Sequence, residues 1–260
     1  MKKRKYQGYI IDLDGTIYRQ KEKIPQASSF INYLLKNKIK FRLMTNNTTR
    51  TPQAIQNFLR KYHQIVVPQE CIYTAALATA DYLEKNNKKV NPGVYVIGEN
   101  GLKTEIYKRG FVYNEINPDY VVIGLDTDVT YHKFKTATLA IEKGAQFIGT
   151  NPDRAIPTED GLIPSAGALI NLVATATNQQ PLIIGKPKTI MLDLIAQELS
   201  IPLSQLIIFG DNYQTDIKAG LNFKIATALV LTGVTSLKDL KNIKEKPSYV
   251  LDQLGEWHFV

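Results

Sequence analysis

The stretch "YIIDLDGTIY", residues 9–18, runs an apolar segment into Asp12, places a second carboxylate at Asp14 and turns at Gly15-Thr16. A continuous apolar run, as opposed to an alternating one, is how a parallel strand covered on both faces reads. Such runs recur as "IKFRLM" before Thr45, "VYVI" before Gly98, "YVVIGL" at 120–125 and "QFIG" at 146–149. "LII" before Gly185, "LIIF" before Gly210 and "ATALVL" before Thr232 complete the set. Helix-length segments separate them at 26–37, 52–63, 74–86, 131–143, 166–178, 188–199 and 213–220. Thr51 reads as an N-cap and Pro52 as the first helical residue. Strand–helix alternation predicts an α/β chain with right-handed crossovers.

The bulk properties limit the function classes. A chain of 260 residues with 44% hydrophobic residues builds one large domain or two smaller ones and is not disordered. The net charge of +8 attracts anions. Its basic residues, clustered at Lys2–Lys5, Lys36–Arg42, Lys85–Lys89 and Lys241–Lys246, carry no aromatic-basic or arginine-glycine pattern. They read as a solvated surface, so no nucleic-acid partner is expected. The single cysteine, Cys71, excludes an internal disulfide and reads as a half-buried residue of a reducing compartment. The basic start followed by "YII" stops at Asp12, too soon for a signal peptide, and no apolar run approaches a membrane span. The expectation is a cytoplasmic protein with no membrane partner.

In open α/β sheets ligands bind beyond the carboxyl ends of the strands. Those ends carry Asp12, Asp14 and Gly15; Thr45, Asn46 and Asn47; Lys186; and Asp211, with Asp216 five residues on. Clustered carboxylates repel one another unless a cation neutralises them. Oxygen ligands without histidine or cysteine favour magnesium. Lys186, the Thr45 hydroxyl and the backbone amides around Gly15 suit phosphate oxygens. In an extended strand, residues 12 and 14 point to the same side, so one carboxylate can attack phosphorus while the other handles protons. A calcium loop of the EF-hand type would place its glycine sixth in the pattern, and here Gly15 is fourth. Each motif alone reads as a turn or a cap. Four in order, each after an apolar strand, read as a phosphoryl-transfer site.

These motifs resemble the four signatures of the haloacid-dehalogenase-like superfamily: Asp-x-Asp-Gly-Thr at 12–16, a threonine after the second strand, a lone lysine, and Gly-Asp followed five residues later by Asp216. The interval from Asp12 to Thr45 has no room for an inserted domain, whereas more than a hundred residues separate Thr45 from Lys186. That layout, with "MTNNTTRT", "VIGENGL", "GTNPDRAIPTEDGLIP", "IIGKP" and "FGDNYQTDI", resembles the class IIA branch, the NagD-like or 4-nitrophenylphosphatase type. The resemblance implies a doubly wound, Rossmann-like core at 1–78 and 180–260 with an inserted α/β cap of the C2 type at 79–179.

By the same resemblance, Asp12 is the nucleophile that becomes an aspartyl-phosphate and Asp14 the general acid, then base. Asp12, the Asp14 backbone carbonyl and Asp211 hold Mg2+, and Asp216 orients the metal shell or Lys186. Thr45 and Asn46 position phosphate, joined by Gly15 and Lys186. The implied activity is magnesium-dependent hydrolysis of a small phosphomonoester such as a sugar phosphate or nucleotide monophosphate, with 4-nitrophenyl phosphate as an artificial substrate. A phosphotransferase or mutase on the same core and a non-catalytic phosphate-ligand sensor are the alternatives. The expected partner is a small phosphorylated metabolite, with a homodimer formed through the cap. Two departures, Asn212 where the branch often has arginine and Pro164-Ser165-Ala166-Gly167 where it often has Pro-Gly-x-Gly, weaken inference about substrate. Elsewhere, "GENG" at 98–101 reads as a turn before it reads as a phosphate loop. Asn151, Pro152 and Asp153 leave a strand as candidates for substrate contact. His63 and His132 read as surface residues of helices.

Overall fold

The computed structural model describes residues 6–158 and 160–259, so the basic cluster at Lys2–Lys5 and Glu159 of the 149–164 motif lie outside it. The chain divides into two compact units. One holds the residues up to Thr45, Pro52–Tyr73 and those from Lys186 on; the other holds Asn46–Thr51 and Thr74–Gly185. The sequence places the boundaries at 78/79 and 179/180, while the units part at 73/74 and 185/186. Helix Ala75–Asn86 belongs wholly to the second unit, capped by the Thr74 hydroxyl, which accepts from Leu77 N at 3.0 Å. Strand Leu182–Ile183 belongs there too, because it pairs with Gln146–Gly149.

The first unit is built around a six-stranded sheet ordered Tyr249–Leu251, Ala226–Val230, Leu206–Gly210, Gly8–Asp12, Lys40–Thr45, Ile72–Thr74. Gly8–Asp12 sits at its centre, parallel to both neighbours, with Ile11 opposite Phe209 on one side and Asp12 opposite Met44 on the other. All five of its residues are buried, which is what an apolar run without alternation requires. From this strand the chain builds outward in one direction through Lys40–Thr45 and Ile72–Thr74. It later returns to build in the other through Leu206–Gly210, Ala226–Val230 and Tyr249–Leu251. The order therefore reverses between Gly8–Asp12 and Leu206–Gly210, the place where such sheets bind ligands. Helix Ala27–Lys36 covers one face with Phe30, Ile31 and Leu34, a helical stripe of apolar residues. There Phe209 meets the rings of Tyr9, Phe30 and Trp257 at centroid distances of 6.0, 5.3 and 5.0 Å.

The second unit carries a parallel five-stranded sheet ordered Leu182–Ile183, Gln146–Gly149, Tyr120–Ile123, Gly93–Ile97, Val112–Tyr113. Its core packs Ile97, Val121 and Ile123 against helices Tyr131–Glu142 and Ala166–Thr177. "GENG" is only half a turn: Gly98 and Glu99 link strand Gly93–Ile97 to helix Asn100–Tyr107, whose first residues are Asn100 and Gly101. No helix among the described residues is long and apolar enough to cross a membrane.

Other local readings change, and Cys71 is buried, not half-buried. The segment 52–63 is α-helical only at Pro52–Phe58 and continues as a π-helix, Leu59–His63. His63 is buried, not on the surface, stacked on Tyr18 at 4.8 Å and packed beside Phe58 at 5.2 Å. The segment 213–220 opens as a π-helix, Tyr213–Ile217, before the α-helix Lys218–Asn222.

Phe209→Ala removes the ring on which three aromatic neighbours close. It should lower unfolding free energy by about 3–5 kcal/mol, as deletion of a fully buried ring does, measured by denaturant titration. A loss below about 1 kcal/mol, the range of surface substitutions, would contradict this account of the core.

Candidate active site

Strand Gly8–Asp12 delivers Asp12 to the carboxyl edge of the sheet, and Leu206–Gly210 delivers Asp211 beside it. Lys186 begins the return of the chain to the first unit. Its ammonium donates to Asp12 Oδ1 and, at 2.6 Å, to Asp216 Oδ1. The second oxygen of Asp216 accepts from Asn212 N at 3.1 Å, so its carboxylate is fastened on both sides. Asp211 Oδ2 accepts from Val234 N at 2.7 Å and Oδ1 from the Thr16 hydroxyl at 3.3 Å. Lys186 and all three carboxylates are buried.

Glycine makes this closeness possible. Gly15 has φ +86, a left-handed conformation, and a Cβ there would land on the Asp211 carboxylate, as would one at Gly233. The turn it closes, with Gly15 N donating to Tyr18 O at 2.7 Å, also places Asp14. The strand ends at Asp12, so Asp14 is positioned by this turn and not by strand alternation. Asp12 is buried and Asp14 exposed, with the Tyr18 hydroxyl donating to Asp14 Oδ2 at 3.4 Å.

Burial pushes the Asp12 carboxyl well above its usual range; Lys186 opposes this, and Asp216 and Asp211 add to it. Burial and the neighbouring Asp216 raise Asp211 from 3.8 to about 6, against the stabilising hydrogen bond from Val234. For Lys186 burial works against the charge, but Asp12 and Asp216 outweigh it and raise its pKa. Three carboxylates thus surround one ammonium. Asp12, Asp211 and Asp216 offer oxygens all within 4.8 Å of one another, a donor set that fits a hard divalent cation.

Thr45 closes strand Lys40–Thr45 and is buried. Asn46 starts a stretch of the second unit, where its amide donates to Asp153 Oδ2 at 3.0 Å and its carbonyl accepts from Asn151 Nδ2 at 3.0 Å. Asn212 caps the π-helix by accepting from Gln214 N at 2.9 Å. Sequence reading names Thr16 in the first motif without giving it a role, and it misses the loop after Ala226–Val230. In that loop Val234 N holds Asp211, Thr235 Oγ1 accepts from Tyr213 N at 2.8 Å, and Thr232 Oγ1 donates to Gly15 O at 2.6 Å. The rule that marks Asp12 and Asp211, reading the residues just past each apolar strand, finds this loop when it is extended past Val230.

The haloacid dehalogenase-like hydrolase family profile matches residues 9–112, and a HAD-hydrolase-like profile matches 183–257. The chain is 41% identical to the 5'-nucleotidase YutF of Bacillus subtilis over 97% of both chains. It is 44% identical to an acid sugar phosphatase of Staphylococcus epidermidis over 96% of both. A mutant of the thermostable p-nitrophenylphosphatase from Bacillus stearothermophilus superposes with TM-score 0.89 at 41% identity, over 99% of this chain and 100% of that one. The chain therefore belongs to the haloacid dehalogenase-like hydrolases, among the phosphatases of the NagD and p-nitrophenylphosphatase type.

A carboxyl raised to about 6 sets the sign of a pH effect. Between its ordinary value of 3.8 and about 6, Asp211 binds more proton in the folded than in the unfolded chain, so it costs the metal-free fold stability as pH rises through that window. A cation must displace the same proton. The rise in melting temperature on adding a divalent cation should shrink as pH falls through 6. A shift that stays constant from about pH 5 to 8 would contradict the assignment.

Proposed function

We propose that the protein is a magnesium-dependent phosphatase that hydrolyses small phosphomonoesters through an aspartyl-phosphate on Asp12. The observation that carries this reading is the buried Lys186 ammonium between Asp12 and Asp216, with Asp211 alongside. In the first step an Asp12 oxygen attacks phosphorus, the bond to the leaving oxygen breaks, and Asp14 gives that oxygen a proton. In the second step Asp14 takes a proton from water as the water oxygen attacks the same phosphorus. The bond to Asp12 then breaks and orthophosphate leaves. An exposed carboxyl suits this exchange of roles, because it trades protons with water between steps. Lys186, Thr45 and the Gly15 backbone hold phosphoryl oxygens, with Asn46 beside them. Asp216, engaged by Lys186 and Asn212 N, holds the lysine in place. Asp12, Asp211 and the Asp14 carbonyl would hold a magnesium ion, which would supply positive charge against the phosphoryl oxygens.

The names of the relatives, a 5'-nucleotidase and an acid sugar phosphatase, support nucleoside monophosphates and sugar phosphates as the substrate class. The second unit, Asn46–Thr51 with Thr74–Gly185, serves as the cap that selects among them. The protein works in the cytoplasm, without nucleic-acid or membrane partners. It assembles as a homodimer through the cap, whose edge strand Val112–Tyr113 exposes both side chains.

Asp12→Asn should abolish turnover on every phosphomonoester while the melting transition stays cooperative, since an amide forms no acyl phosphate. Substantial hydrolysis by the folded variant would sink the reading. Asp14→Asn should slow alkyl phosphates by ~10²–10⁴-fold, the usual weight of general acid catalysis. Nitrophenolate needs little protonation, so this variant should give a burst of nitrophenol near one per active site, followed by slow release of phosphate. Equal losses on both substrates with no burst would make Asp14 structural.

A further inference from the structure

We propose that Asn151 and Asp153 are positioning residues for phosphate binding: they clamp Asn46, beside Thr45, while Asn151 packs against Gly185, beside Lys186, which the adjoining Thr150 carbonyl holds. This rests on the reading that Thr45 and Lys186 hold the phosphoryl oxygens.

The chain leaves the first unit after Thr45 and re-enters it at Lys186. The residues on the far side of both crossings, Asn46 and Gly185, are tied to one short segment of the second unit, Thr150–Asp153. Gly185 N donates to Thr150 O at 2.7 Å. Asn151 is buried, and its amide donates to Asn46 O at 3.0 Å and to Thr150 Oγ1 at 3.3 Å. Its own side-chain oxygen accepts from Asp153 N at 3.2 Å, and Asp153 Oδ2 accepts from the Asn46 amide at 3.0 Å. Packing closes what the hydrogen bonds begin. A Cβ on Gly185 would stand 2.7 Å from Thr150 O, 2.8 Å from Asn46 Oδ1 and 2.9 Å from Asn151 Cβ.

The segment is itself anchored. Thr150 N donates to Ile123 O at 2.9 Å, which continues the parallel sheet, and Gly167 N donates to Asp153 O at 2.8 Å from the start of helix Ala166–Thr177. The backbones at 46 and 185 are therefore fixed against each other through one point. Thr45 and Lys186 are each one peptide bond away. Two groups that must bind the oxygens of a single phosphoryl group tolerate little relative displacement, and an error of about 1 Å can cost ~10²-fold. The chemistry at 151 calls for an amide, since a carboxylate in the same shape would set charge against the Asn46 carbonyl.

The test uses the full-length protein with Asn151→Asp, which keeps the shape, and Asp153→Ala, at a half-buried position that tolerates truncation. Competitive inhibition by orthophosphate reports the Thr45–Lys186 pair, and the magnesium-induced melting shift reports Asp12 and Asp211. Both variants should weaken orthophosphate about tenfold or more and lower kcat/KM by the same factor on nitrophenyl, sugar and nucleoside phosphates, with the magnesium shift unchanged. Wild-type orthophosphate inhibition in either folded variant would overturn the proposal. So would a loss confined to one substrate, which would mark direct substrate contact, or an equal loss of magnesium and phosphate binding, which would mark general damage. Thr45→Ala in the same assay separates the two claims: if it leaves orthophosphate binding intact, the reading of Thr45 fails, whatever Asn151 and Asp153 do.

Discussion

One ammonium holds the centre of the first unit. Lys186 is buried between Asp12 and Asp216, with Asp211 close enough for all three carboxylates to share a ligand-sized space. Buried charges persist only when paired and hydrogen-bonded. Here the pairing is incomplete: three acids face one base, and the deficit appears in the raised carboxyls of Asp12 and Asp211. A divalent cation is the species that would make up the difference, and the all-oxygen donors suit a hard one. Removing Lys186 would leave the acids without this buried cation, so the fold and the site depend on the same side chain.

The sheet explains why these groups meet. Gly8–Asp12 and Leu206–Gly210 run parallel as neighbours, although they lie near opposite ends of the sequence. Both end at the same edge, where the order of connection reverses. The loop after Ala226–Val230 then reaches over to grip Asp211, and the Gly15 turn supplies the room. The chemistry is carried by residues just past strand ends, while the strands supply rigidity through buried apolar side chains. That division of labour lets short motifs far apart in sequence act as one site.

Much of this is legible in the sequence because it follows from local patterns. Continuous apolar runs mark the central strands, and the polar residue after each run marks Asp12, Thr45, Lys186 and Asp211. The edge strands Val112–Tyr113, exposed, and Tyr249–Leu251, partly exposed, escape because they are short, so no long apolar run announces them. The π-helices at 59–63 and 213–217 depend on hydrogen-bond register, which residue type does not encode. Strand alternation accounts for Asp14 on paper, but the strand ends at Asp12 and a glycine turn decides the geometry. Thr16, Val234 and Asn151 act through backbone or partner groups distant in sequence, and such contacts exist only once the chain is folded.

The central claim is a covalent bond between phosphorus and Asp12. It is tested most directly by quenching the wild-type enzyme in acid during turnover of nitrophenyl phosphate with magnesium, reducing with borohydride and mapping the peptides. An acyl phosphate is reduced to an alcohol, so the account predicts conversion at Asp12 alone, and only when substrate is present. Reduction at Asp14, Asp211 or Asp216, or an unmodified Asp12 in enzyme caught turning over with its intermediate accumulated, would contradict it.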